Sequence, residues 1–256
     1  VGRPILQAMW MRRLLFLFSL IPLGAGAQVV NIEGRRFLND TVPWTGYVDF
    51  RLNVTENTQR SNTFGFGGAV QHVRGKHRFF FINDLALSRV EHNDFLNTGF
   101  QHLRYNYARD KRWTGEAFAQ TQYNKPLLLD LRATLGAGPR LRVVNEEKYR
   151  MYVGTSVMAE YENTSLDEAF FHARNSSYLS MYLKLDGVAS VSTVLYYQPR
   201  LFDASDHRVA LEGSLLLTIG GRYTFESRMN LLKDTGQPEG VPYLSYSWNN
   251  RFGYRF

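Results

Sequence analysis

The chain has 256 residues, 44% hydrophobic and 14% aromatic, a composition too apolar for a disordered polypeptide. It contains no cysteine, so disulfides, thiolate metal sites, cysteine nucleophiles and a lipid-modified N-terminal cysteine are excluded. The formal charge is +7; the first 27 residues hold Arg3, Arg12, Arg13 and no acid, which leaves +4 for the remainder, without the dense basic block of a nucleic-acid-binding protein.

Met11-Arg12-Arg13 is followed by an apolar run over 14–23 and then by Ala25-Gly26-Ala27. Basic, apolar and small residues in that order have the layout of a cleaved secretory signal peptide. The apolar run is too short to cross a bilayer as a helix. Residues 1–10 read as sequence upstream of the true start, so 1–27 is set apart from the fold. Residues 28–43, with Val29, Val30, Ile32 and the pair Arg35-Arg36, read as a periplasmic tail, with a short plug or a thirteenth strand as alternatives.

From Trp44 onward the pattern has period two, as β-strands require. Trp44, Gly46, Val48, Phe50, Leu52 and Val54 alternate with Thr45, Tyr47, Asp49, Arg51, Asn53 and Thr55. Twelve strands are predicted, at 44–55, 61–73, 77–89, 97–108, 112–123, 127–144, 148–162, 176–185, 188–201, 208–219, 222–232 and 241–256. Each is long enough for a tilted strand to cross a bilayer, which takes about 9–11 residues. Pro139 and Pro199 weaken two of them, because proline cannot donate to a ladder. Tight connections at 74–76, 109–111, 145–147, 186–187 and 220–221 alternate with mostly longer ones at 56–60, 90–96, 163–175, 202–207 and 233–240. Short periplasmic turns and longer outer loops are the pattern of an outer-membrane barrel; 124–126 is the exception. The fold class expected is all-β, a single closed antiparallel transmembrane β-barrel over 44–256.

Alternation alone does not say which face is inside. Charges of both signs fall in mid-strand on the polar face, and Tyr and Trp gather near strand ends, where amphipathic rings suit the headgroup level. The last strand carries Phe252, Tyr254 and Phe256 on one face. The apolar face is therefore expected to meet lipid, and closure follows because an open edge would leave backbone groups unpaired in hydrocarbon.

That aromatic last strand resembles the insertion signal of bacterial outer-membrane proteins. The stretch from Phe95 through Asn97-Thr98-Gly99-Phe100 to Tyr107 resembles the family of domain-of-unknown-function 481, which includes proteins named salt-induced outer membrane proteins. Gly115 to Gln120 and Leu131 to Arg140 are similar to it too, and Asn31 to Arg36 has the style of a Bacteroidetes-type member. The resemblance implies a porin-like barrel in the outer membrane of a Gram-negative cell envelope. It brings no chemistry with it.

A search for chemistry finds little. No histidine is followed two residues later by serine, the pairing an outer-membrane lipid hydrolase would place on one strand face. His72 and His77 flank a turn and are expected to be structural. Asp203, Asp206 and His207, and likewise Asp167, Glu168 and His172, cluster without fixed ligand spacing and read as solvated loops. Gly65, Gly67 and Gly68 precede no helix, so they read as strand glycines permitting close packing or a bend.

The informative polar set is the lumen face, where Arg104, Arg132, Arg140 and Arg228 oppose Glu116, Asp130, Glu160 and Glu212. Such a set is either a selectivity ring or a salt-bridged plug, and near-balance of charge favours the plug. The expected function is non-enzymatic, a structural or binding role in the envelope with no catalytic residue, metal or cofactor. Alternatives are a narrow ion or small-solute channel and a lipid hydrolase built on His172, Ser176 and Ser177. Expected partners are outer-membrane lipid and lipopolysaccharide, the barrel-insertion machinery, and an envelope protein held by a loop with Phe170, Phe171 and His172.

Overall fold

A computed structural model describes residues 42–56, 60–90, 93–166, 169–185 and 187–254. The expected leader, the segment up to residue 41 and Phe256 lie outside these residues. The twelve strands are β1 (Trp44–Glu56), β2 (Arg60–Arg74), β3 (His77–Val90), β4 (Asn93–Ala108), β5 (Trp113–Asn124), β6 (Leu129–Asn145), β7 (Tyr149–Thr164), β8 (Phe170–Leu185), β9 (Ala189–Arg200), β10 (Asp203–Ile219), β11 (Tyr223–Asp234) and β12 (Leu244–Tyr254). Each pairs antiparallel with its neighbour in sequence, giving one meander in the order β1 to β12. Among the described residues β1 and β12 each pair with one strand. Between β5 and β6 a single 3-10 turn spans Lys125–Leu127.

The sheet curls strongly with its polar face inside. Tyr178 on β8 donates to Glu116 on β5, and Arg132 on β6 reaches Asp234 on β11 at 3.7 Å. Side chains of strands so far apart in the sheet meet only if the sheet wraps around them. Outward positions are apolar and open: Leu135 is 65% exposed, Val157 58% and Trp248 67%. Inward positions are polar and closed: Arg174 and Glu160 are each 1% exposed. Leaving a large aliphatic or aromatic side chain in water forfeits about 1.5–3 kcal/mol apiece. An outer surface carrying dozens of them is therefore a surface built for lipid. Two smaller apolar clusters sit inside, Phe80, Ile82, Phe100 with Ala69, and Tyr178, Val194, Tyr196 with Leu232.

At one end, the turn end, strands join through 75–76, 109–112, 146–148 and 220–222, and β8 is followed by β9 at the same end. Gly75, Gly220 and Gly221 hold positive φ there, as tight hairpin turns demand. At the loop end the strands run further than the sequence suggests. β8 begins at Phe170 and β10 at Asp203, so of the predicted loop over 163–175 residues 163–164 belong to β7 and 170–175 to β8, and the predicted loop over 202–207 reduces to a turn at 201–202. The contrast in loop length is correspondingly small, with 235–243 the longest connection among the described residues.

Phe170, Phe171 and His172 are thus the first residues of a strand, not a loop. Phe171 points outward and is 71% exposed, whereas His172 is buried. The two prolines are tolerated inside strands. Pro139 lies opposite Gly115, and Pro199 lies beside an irregularity between Asp203 and His207. The glycines of β2 do permit close packing: a Cβ on Gly67 would sit 2.5 Å from the Asp49 carboxylate, and one on Gly65 2.9 Å from Arg51.

Candidate functional site in the lumen

Period two sends even-numbered residues of β7, β8, β10 and β11 inward near the loop end, and the sequence places charges there. Arg208 is the centre. Its Nη1 donates to Glu160 at 2.6 Å, its Nη2 to Glu162 at 2.8 Å and its Nε to Asp234 at 2.6 Å. Arg174 donates from Nε to Glu160 at 3.0 Å and from Nη2 to both carboxylate oxygens of Asp206, at 2.8 and 3.0 Å. Arg132 closes the ring, with Nε 2.6 Å from Glu162. His172 Nε2 lies 2.9 Å from Glu160, which fixes its proton on that nitrogen as a donor to the carboxylate. Three guanidiniums thus meet four carboxylates in one layer across β6, β7, β8, β10 and β11.

A second layer lies nearer the turn end. Glu116 is held by Arg104 at 3.5 Å, by Arg140 at 3.3 Å and by the Tyr178 hydroxyl at 2.8 Å. Arg140 also stacks over the Tyr152 ring at 4.1 Å. His102, beside Arg104, bonds Gln120 at 3.1 Å. The second layer has two cations for one anion, opposite in sign to the first, so the pair of layers balances. Charges this deeply buried are tolerable only when each is paired and hydrogen-bonded, and here each is.

Between the layers lies a cavity of about 50 Å³, bordered by Gln120, Thr134, Met158, Ser176 and Tyr196 with Arg104 and Arg208 at its ends. That is room for a few water molecules.

Of the expected lumen residues, Arg104, Glu116, Arg132, Arg140 and Glu160 fall in these layers. Glu116 and Arg132, on the neighbouring strands β5 and β6, do not pair with each other: Glu116 takes Arg104 and Arg140, and Arg132 takes Glu162. Asp130 lies outside the layers, bonded to Lys125 and to Ser165. Arg228 is exposed and donates to Glu226 on its own strand at 2.8 Å. Glu212, at mid-strand in β10, lies opposite Asn230 on β11.

Arg174, Asp206, Arg208, Glu162 and Asp234 were not foreseen as site residues. Asp206 and His207 prove to be strand residues; Asp206 bonds Arg174, and His207 Nδ1 faces the Ser205 carbonyl at 3.0 Å. Of the hydrolase candidates, His172 goes to Glu160, Ser176 accepts from Gln198, and Ser177 donates to Asn175. The three do not bond to one another. His72 and His77 also part: His72 stacks on Trp44, and His77 bonds Tyr105.

Residues 48–256 match the family described as Protein of unknown function, DUF481. The chain belongs to this family. No curated protein matches it. A solved structure described as a NanC porin in a rhombohedral crystal form is similar to the DUF481 chain over 83% of its length and 98% of the porin's, with 8% identity and a TM-score of 0.47.

Proposed function

We propose that this DUF481 protein is an outer-membrane β-barrel with a non-enzymatic structural or binding role in the cell envelope, its lumen occluded by the paired-charge layers. One observation carries the reading: Arg208 is bound by three carboxylates from two other strands, Glu160 and Glu162 on β7 and Asp234 on β11, while all four groups are excluded from solvent. An ion path needs sites that attract an ion and release it, with charge left unspent toward the pore. Here the charge is spent on the protein itself. Closure of β1 onto β12 completes the barrel, because both strands carry outward apolar side chains and an unpaired edge in hydrocarbon is costly.

Planar-bilayer recording of the purified protein tests this. Occlusion predicts no discrete steps under applied voltage. A steady, ion-selective conductance would replace it with the second reading, a narrow channel, which the water-sized cavity between the layers favours. The membrane reading has its own test: the polypeptide without its leader, folded and monodisperse in plain buffer without detergent, would overturn it.

A further inference from the structure

The outside of the turn end carries an arrangement that the lumen does not explain. Trp44 stacks on His72 with ring centroids 4.2 Å apart, and His72 faces Phe79 at 6.5 Å. Phe79 meets Tyr105 at 5.0 Å, and His77 lies 5.3 Å from Tyr107. His77 Nδ1 is 2.7 Å from the Tyr105 hydroxyl, which ties the row to β4. These rings form a continuous outward-facing shelf across β1 to β4.

The β2–β3 turn, Arg74-Gly75-Lys76, projects immediately beyond the shelf. An open groove is lined by Arg74, Gly75, Lys76, His77, Phe79 and Tyr107. Three of these residues, His77, Phe79 and Tyr107, are aromatic, and two, Arg74 and Lys76, are cationic. Lys76 Nζ donates to the Arg109 carbonyl at 3.4 Å, bringing the neighbouring turn alongside, where Arg109, Lys111 and Arg112 outnumber Asp110. Among the described residues no carboxylate pairs with Arg74 or Lys76. At the loop end, by contrast, the exposed cations Lys125 and Arg200 are matched by Asp130 and Asp206.

Aromatic rings with polar tips settle at headgroup depth, and cations just beyond them face the phosphates. A groove with both features fits a ligand that is anionic at one end and apolar at the other. We propose that it binds an anionic glycerophospholipid, its phosphate between Arg74 and Lys76 and its upper acyl chains along Phe79 and Tyr107. Gly75 forms the turn between the two cations at φ +60, a conformation that residues with a side chain rarely adopt. The proposal rests on the membrane reading above and assigns the turn end to a phospholipid leaflet.

Reconstitution into phosphatidylcholine vesicles with trace spin-labelled lipid tests it. Flotation first establishes insertion, and electron paramagnetic resonance then compares labelled phosphatidylglycerol with labelled phosphatidylcholine. The wild type is expected to favour phosphatidylglycerol by about threefold or more, and to lose the preference near 1 M salt. The Arg74→Gln/Lys76→Gln variant should float and show no preference. Lys125→Gln/Arg200→Gln, which removes the same formal charge, should keep it. Equal association of both lipids with the wild type overturns the site, as does equal loss in both variants. Displacement by inorganic phosphate beyond that of chloride at equal ionic strength makes it a free-phosphate site and also overturns it. Protein that does not float overturns the membrane reading itself.

Discussion

Arg208 on β10 and Glu160 on β7 meet at 2.6 Å although 48 residues separate them in the chain and two strands lie between theirs in the sheet. The contact bridges the concave side of the sheet, so it sets curvature as well as charge. Glu160 takes Arg174 and His172 on its other oxygen, so one carboxylate ties β7 to β8 and β10 together.

Removing Arg208 should therefore be costly. In Arg208→Ala, Glu160, Glu162 and Asp234 lose a shared partner while remaining buried, and breaking such a network from one side typically costs about 3–5 kcal/mol. Arg208→Met fills the volume without supplying charge and is expected to be similarly destabilised. Arg208→Met combined with Glu160→Gln and Asp234→Asn should recover much of the loss. Urea unfolding in lipid vesicles, followed by tryptophan fluorescence, reads these differences. A cost below about 1 kcal/mol for the alanine variant would mean that water already reaches the layer.

The sign of the freed charge should appear as ion selectivity. Arg174→Ser with Arg208→Ser leaves Glu160, Glu162, Asp206 and Asp234 facing the lumen with Arg132 as their remaining cation in the layer. A conductance that is cation-selective is expected in planar bilayers. Glu160→Gln with Glu162→Gln inverts the balance and should give anion preference. Selectivity of the same sign in both variants would show that the conducting path avoids this layer.

The strands were legible in the sequence because outward residues must be apolar along the whole span, and that constraint repeats at period two. The site was legible only in mid-strand, where Glu116, Arg132, Arg140 and Glu160 break an otherwise apolar rhythm. At the loop end the signal inverts. His172 and Arg174 point inward with only the small Ala173 between them, so the apolar alternation is weak there and the segment reads as a loop. Asp234 was lost the same way, beyond Leu232 and Lys233 at the end of β11. A polar lumen disguises strand ends as loops. Pairing partners were beyond reach for a further reason: Glu116 on β5 meets Tyr178 on β8, three strands away, because of how the sheet curls, which no single strand encodes.

Close approach of strands makes Gly138 a sharp test of the β6–β7 contact. A Cβ built there would lie 1.9 Å from the Thr155 carbonyl oxygen and 2.5 Å from the Ser156 Cα, both backbone atoms that cannot swing away. Gly138→Ala should destabilise by about 1–3 kcal/mol or block folding. Gly115, across the sheet on β5, has open space where its Cβ would go, so Gly115→Ala should be near neutral. Heat-modifiable gel mobility of the two variants, refolded side by side, distinguishes them. Equal behaviour would mean that β6 and β7 are spaced more widely at Gly138.

Acid should loosen the turn between β4 and β5 before it touches the strands. The Asp110 carboxylate accepts the backbone N–H groups of Trp113 at 2.8 Å and Arg112 at 2.7 Å. Those two bonds, chiefly the one from Trp113, hold its pKa below the ordinary aspartate value, with Arg109 and Arg112 adding charge in the same direction. A carboxyl whose pKa is lowered by folding stabilises the turn fully above its unfolded pKa. The contribution disappears as pH falls through the folded value. In micelles, the amide proton signals of Arg112 and Trp113 should move together toward higher field as pH is lowered below about 4, with a midpoint below the ordinary aspartate value. Asp110→Asn should abolish that titration while leaving the strand amides unmoved. Amide signals that hold steady down to about pH 2 would show that something other than this carboxylate orders the turn.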